Sequence, residues 1–131
     1  MTDKEKQIAY WVSTAVDDLE SIDYLFNGKK YVQALFFAHL SLEKILKALW
    51  VKNNELDFPP KTHNLSYLYE NSKIALSEEQ TDFLQTMNVY QIEGRYPDYI
   101  SQLHNSTSKE KAETIINESK KLFQCLQEKL Q

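Results

Sequence analysis

The chain is poor in the residues that break helices. It has two glycines and three prolines in 131 residues, too few for the frequent tight turns of an all-β fold. It has one cysteine, Cys125, so an internal disulfide is excluded, which suits a reducing compartment. Among apolar neighbours near the C-terminus, that thiol reads as a small core hydrophobe. No segment approaches the roughly 18 consecutive apolar residues of a membrane span. The longest candidate, Tyr31 to Trp50, is interrupted by His39, Glu43, Lys44 and Lys47. Met1 to Gln7 are polar and mixed in charge, with no apolar run behind them, which does not fit a signal peptide. The expectation is a cytoplasmic protein with no membrane partner.

Positive charge is also short. Fifteen Lys and Arg face nineteen Asp and Glu, for a formal net charge of −4. Such a chain has no general attraction for polyanions, so DNA is not expected as a partner. A local basic pocket remains compatible with that balance. The three histidines are scattered and no His-x-x-x-His or Cys-x-x-Cys pair occurs, so neither a metal nor a cofactor is expected. Gly28 and Gly94 stand too far apart to form a phosphate-binding glycine loop.

What the chain does have is helical rhythm. Its length suits one domain, residues 1–131. Thr2 followed by Glu5 has capping-box spacing and opens a first helix. Ile8, Trp11, Val12, Ala15, Leu19, Ile22 and Phe26 share one face of it, and Asn27-Gly28 closes it. A second helix starts near Lys30, with Tyr31, Ala34, Leu35, Ala38, Leu42, Ile45, Leu46 and Leu49 on one face. Phe36, Phe37, Leu40 and Trp50 add apolar surface off that face, so this helix needs more than one cover. It should be central, or touch a second subunit. Asn53-Asn54 and Pro59-Pro60 mark a loop. A short helix then carries Leu65, Leu68 and Tyr69, with Ile74 at its limit. Ser77 and Gln80 form another capping box and open a helix that runs to about Glu93. A polar loop follows to Asn105-Ser106, and Thr107 with Glu110 caps the last helix. The pattern predicts an all-α, up-and-down antiparallel four-helix bundle with one additional short helix.

The densest chemistry lies where Gly94 and Pro97 force a turn. Arg95 can grip a phosphate with two parallel hydrogen bonds. Tyr96 can stack on a base, and Asp98 can orient Arg95 or accept from a nucleotide hydroxyl. The alternative is a structural knot, with Arg95 on Asp98 or on the carbonyls that end the fourth helix, and Tyr96 packed. Glu43, Lys44 and Lys47 interrupt an apolar helix. Glu43 and Lys47 have the i,i+4 order of a stabilising surface pair, and Lys44 and Lys47 are three apart. Facing a cleft with Arg95, they would form a basic pocket for a single nucleotide phosphate. His39 reads as a hydrogen-bonded histidine at an interface, and His63 as a group serving a helix start. A general-base role for either needs a partner in hydrogen-bond reach.

Three segments, in order, resemble the HEPN domain family of prokaryotes. Trp11 to Gly28 places Ala15, Asp18, Leu19 and Leu25 as in the family's opening helix. Tyr31 to Leu49 is similar to its helix in which an aromatic-rich run precedes Glu-Lys and then Lys-Ala, here Glu43-Lys44 and Lys47-Ala48. Thr62-His63-Asn64-Leu65 and Arg95-Tyr96-Pro97-Asp98 resemble two further family elements. The resemblance spans about residues 8 to 125. It implies a bundle of about five helices that forms a homodimer, and a nucleotide- or RNA-related role or partnership with a small nucleotidyltransferase, in a toxin–antitoxin-like setting. Many toxin members are metal-independent ribonucleases that use an arginine, four to six residues, then a histidine at the dimer cleft. Here those positions after Arg95 are Ile100, Ser101 and Gln102, and His104 comes later. The expected function is therefore a dimeric binding module with no catalytic residues. A divergent ribonuclease using Arg95 with His104 or His63 is the alternative, and a purely structural oligomerising subunit is a third reading.

Overall fold

A computed structural model describes all residues, 1–131. Six α-helices and one 3₁₀ turn account for its regular structure, with no strand. α1 spans Asp3–Asn27, α2 Tyr31–Asn53, α3 Leu65–Glu70, α4 Glu78–Met87, α5 Pro97–Ser106 and α6 Lys109–Glu128; the 3₁₀ turn is Asn88–Tyr90.

Local capping chemistry explains most of the helix starts. The Thr2 hydroxyl accepts from the Glu5 amide. Ser77 and Gln80 form the reciprocal capping box. Asn64 caps α3 by accepting from the Tyr67 amide. The α1–α2 turn places Lys29, rather than Gly28, in the left-handed region at φ 63°. Gly28 is needed for another reason: a Cβ there would sit 3.3 Å from the Tyr24 carbonyl oxygen.

α2 is the central element, as its surplus apolar surface required. It packs on α1, α3, α5, α6 and the 3₁₀ turn. Leu35, Leu42, Ile45, Leu46 and Leu49 are fully buried, and they join Ile22, Leu68, Leu84, Met87, Phe123 and Leu126 in one apolar cluster. Lys4 ties the start of α1 to the end of α2 by donating to the Val51 and Asn54 carbonyls, each at 2.6 Å. Lys52 reaches the Lys129 carbonyl and Lys120 pairs with Asp23, so α6 runs parallel to α2 and antiparallel to α1. Gln80 lies by Cys125 and Met87 by Ser119, so α4 runs against α6. Directions thus alternate along α1, α2, α4 and α6, giving the expected up-and-down bundle.

Three sequence expectations need correction. The polar loop expected up to Ser106 contains α5. Pro97 is its first residue, where the missing N–H costs nothing and the fixed φ favours a helix. No α5 residue is fully buried, so its apolar rhythm is weak. The last helix is capped by Ser108, which accepts from the Lys111 amide, while Thr107 closes α5. The fourth helix ends at Met87 and tightens into the 3₁₀ turn, rather than running to Glu93.

Candidate functional site

Glu43 is the hub of the chain's buried charge. It lies on α2 and is 3 % exposed. One carboxylate oxygen accepts from Lys47 Nζ at 2.9 Å, and the other accepts from His63 Nδ1 at 2.9 Å. Lys47, 6 % exposed, also lies over the Trp11 ring, 5.1 Å from its centroid, a favourable cation–π arrangement. The i,i+4 pair expected on a solvated face is therefore buried. Its charges persist there because each has a partner of opposite sign or matching hydrogen-bond role.

His39 completes this cluster from one turn earlier on α2. Its Nδ1 is 3.8 Å from the nearer Glu43 oxygen, beyond hydrogen-bond reach. The His63 backbone and the Asn88 side chain lie against its ring, though neither ring nitrogen makes a hydrogen bond of good geometry. Burial lowers its pKa from 6.5 to about 4, against the pull of Glu43 in the other direction. His39 is thus neutral at neutral pH.

His63 stands just before α3, and its side chain is half exposed. Donation from Nδ1–H to Glu43 fixes the tautomer and leaves Nε2 with its lone pair. His63 lines a cleft of about 310 Å³ together with Asn64, Asn88, Gln91 and Arg95. None of these five is apolar. Gln91 is 7 % exposed, and its side-chain amide nitrogen is buried with no partner. That nitrogen is closed to solvent, and a buried donor left unmet is costly.

Arg95 is placed by the turn before it. Its amide donates to the Ile92 carbonyl at 3.1 Å. Gly94, the third residue of that turn, has φ +76°, as a type II turn requires at that position. Arg95 Nε donates to the Gln91 carbonyl at 3.3 Å, and the guanidinium stacks 4.5 Å from the Tyr99 ring centroid. Its terminal nitrogens have no partner within the protein. Part of the structural-knot alternative is thus seen, a helix-end carbonyl holding the arginine, but Asp98 takes no part.

The structure links Glu43, Lys47, His39 and His63 around the middle of α2, and His63 shares a cleft with Arg95. It does not bring the other candidates there. Lys44 turns to α1 and pairs with Asp18 at 2.6 Å. Tyr96 is 83 % exposed and, like Asp98, does not line the cleft. His104 is exposed in the last turn of α5 and does not line it either. Sequence reasoning missed Asn64, Asn88, Gln91 and Tyr99 as members of the site. Only Tyr99 carried a signal, its four-residue spacing from Arg95. No group of three His, Cys, Asp or Glu side chains has the geometry to hold a metal, and no helix is long and apolar enough to cross a membrane.

Fold and cleft together define a helical-bundle module with a polar recess beside a buried carboxylate. The HEPN domain family matches residues 8–130, nearly the whole chain, and the protein belongs to that family. No curated protein and no solved structure matches it significantly.

Proposed function

We propose that this HEPN protein is a dimeric module that binds a nucleotide through the Arg95 cleft, without chemistry of its own, and that it can partner a small nucleotidyltransferase. One observation carries the nucleotide reading. Arg95, with its terminal nitrogens unpaired in the chain, lines an apolar-free cleft with His63, Asn64, Asn88 and Gln91. Together they offer a planar cation and polar side chains to one phosphate. The acidic chain around them, at net −4, favours one small anion over a long polyanion. Tyr10 and Tyr24 on α1 leave exposed aromatic surface two heptads apart, which supports a second copy as a partner.

The test is a thermal-shift scan with nucleoside mono-, di- and triphosphates on wild type and Arg95→Ala. A ligand that binds only the folded state raises the melting temperature by mass action. The expected result is a rise in wild type that disappears in Arg95→Ala. Absence of a rise with every nucleotide would sink the reading and turn attention to a protein partner.

A second reading is favoured by the His63–Glu43 hydrogen bond. A histidine oriented by a buried carboxylate, with Nε2 free to accept a proton, is suited to general-base work. In a divergent ribonuclease, His63 would take the proton of a ribose 2′-hydroxyl as that oxygen attacks the adjacent phosphorus. The 5′-oxygen would leave with a proton from solvent, giving a 2′,3′-cyclic phosphate, while Arg95 stabilises the charged intermediate. RNA turnover lost in both His63→Ala and Arg95→Ala would establish it. Turnover that survives either change would rule it out.

A further inference from the structure

We propose that the Arg95 cleft is a two-cation clamp, in which Arg95 and a protonated His63 grip a terminal phosphate dianion and binding draws a proton from solvent. This inference rests on the nucleotide reading above and names the ligand class and charge state of the same site. The placement of His63 carries it. Its Nδ1 lies 2.9 Å from the buried Glu43 carboxylate. The two nitrogens of an imidazole point to nearly opposite sides of the ring, so Nε2 points away from Glu43. The side chain is half exposed on that side, and no group of the chain meets Nε2. His63 and Arg95 line one cleft of about 310 Å³, and the terminal nitrogens of Arg95 are also unmet.

The proton follows from counting donors and acceptors. A fully ionised phosphate only accepts hydrogen bonds. In a neutral His63, Nδ1–H serves Glu43 and Nε2 offers a lone pair, so ring and phosphate would meet acceptor to acceptor. One proton added at Nε2 turns that mismatch into a charge-assisted hydrogen bond. The ring then bridges two anions, with Glu43 behind it and phosphate in front. The charged and titratable groups around His63 suit that state. Glu43 keeps its other oxygen on Lys47, His39 stands behind Glu43 as a neutral ring, and Arg95 faces from across the cleft. Arg95 and the imidazolium bring two positive charges, which match the two negative charges of a phosphomonoester. A phosphodiester inside an RNA chain carries only one. The clamp therefore favours the free phosphate end of a nucleotide over the backbone of a polymer.

The test is isothermal titration of the full chain with AMP, GMP, CMP and UMP, and with the methyl ester of the tightest binder. Buffers of differing ionisation enthalpy report the protons exchanged, at about pH 7.5, where a phosphomonoester is mostly dianionic. Expected is an uptake of about one proton per nucleotide bound, with affinity falling about tenfold for each further unit of pH. The methyl ester, one charge poorer, should bind at least about tenfold more weakly. His63→Asn keeps a side-chain donor for Glu43 but cannot take up the proton, and its melting temperature checks folding. It should bind more weakly, with no proton uptake and an affinity indifferent to pH. Arg95→Lys keeps the charge but loses the paired hydrogen bonds, so it should weaken binding and preserve the uptake. Nucleotide binding without proton uptake in wild type, uptake that persists in His63→Asn, or equal affinity for the methyl ester would overturn the clamp while leaving the Arg95 cleft standing. No binding of any of these nucleotides would overturn both.

Discussion

The two charged clusters of this protein are built in opposite ways. Glu43, Lys47 and His63 form a closed set, in which the buried carboxylate has a partner on each oxygen. Arg95 belongs to an open set. One of its donors meets a carbonyl, its flat face meets Tyr99, and the remaining nitrogens meet nothing in the chain. Low-dielectric surroundings enforce closure, because a buried ion without a partner costs several kcal/mol. Solvent enforces nothing of the kind, so an exposed arginine can hold donors in reserve for a ligand. The closed cluster is thus expected to govern stability and the open one binding.

Breaking the closed set should have the largest effect. Glu43→Ala leaves Lys47 buried and unpaired, and the expected loss is about 3–5 kcal/mol of unfolding free energy in urea titrations. Glu43→Leu combined with Lys47→Met should recover much of it, since apolar replacement of a whole buried pair is often neutral. A double variant as unstable as the single one would refute closure as the source of the cost.

His39 sets the next effect through pH. Its folded-state pKa of about 4 lies below the ordinary 6.5. Between those values the unfolded chain holds a proton that the native chain does not. Stability is therefore full above pH 6.5 and falls as the pH drops toward 4, by about 3 kcal/mol. Urea titrations at pH 7 and 4.5 measure the slope, which His39→Phe should flatten by that amount. An unchanged slope would assign the acid sensitivity to other groups.

Smaller effects sharpen the open side of the comparison. Gly94→Ala forces a Cβ into the left-handed region and should cost about 1–2 kcal/mol. It should also weaken nucleotide binding, since the turn aims Arg95. Arg95→Ala should cost less than about 1 kcal/mol, the scale of an exposed cation–π contact. It should nonetheless abolish the nucleotide-induced rise in melting temperature. If Arg95→Ala destabilised the fold as much as Glu43→Ala, the contrast between closed and open clusters would collapse.

Much of the fold was legible in the sequence. The starts of α1 and α4 followed from Thr2-Glu5 and Ser77-Gln80, because a side-chain cap and a capping box both join residues only three apart. The central place of α2 followed from apolar residues on several of its sides. α5 was not legible, since a proline ordinarily marks a break and its apolar residues are only partly buried. The site was legible in part. Arg95, His63 and Glu43 were singled out one by one as polar residues in unusual settings. Their grouping was not, nor were Asn64, Asn88 and Gln91, whose amides look ordinary until their surroundings are known.

The dividing line is the reach of each interaction. The starts of α1 and α4, the helix faces and the glycine turn before Arg95 depend on residues within four positions of one another, so the sequence by itself determined them. Family membership also lies in the sequence, as the match over residues 8–130 records. Only the tertiary structure decided that Glu43 meets His63, twenty residues on, that Lys44 turns to Asp18 instead, and that Gln91 is sealed beside Arg95 with its amide unmet. Those outcomes depend on how far burial strips each polar group of water, and burial is set by the packing of the other elements around α2.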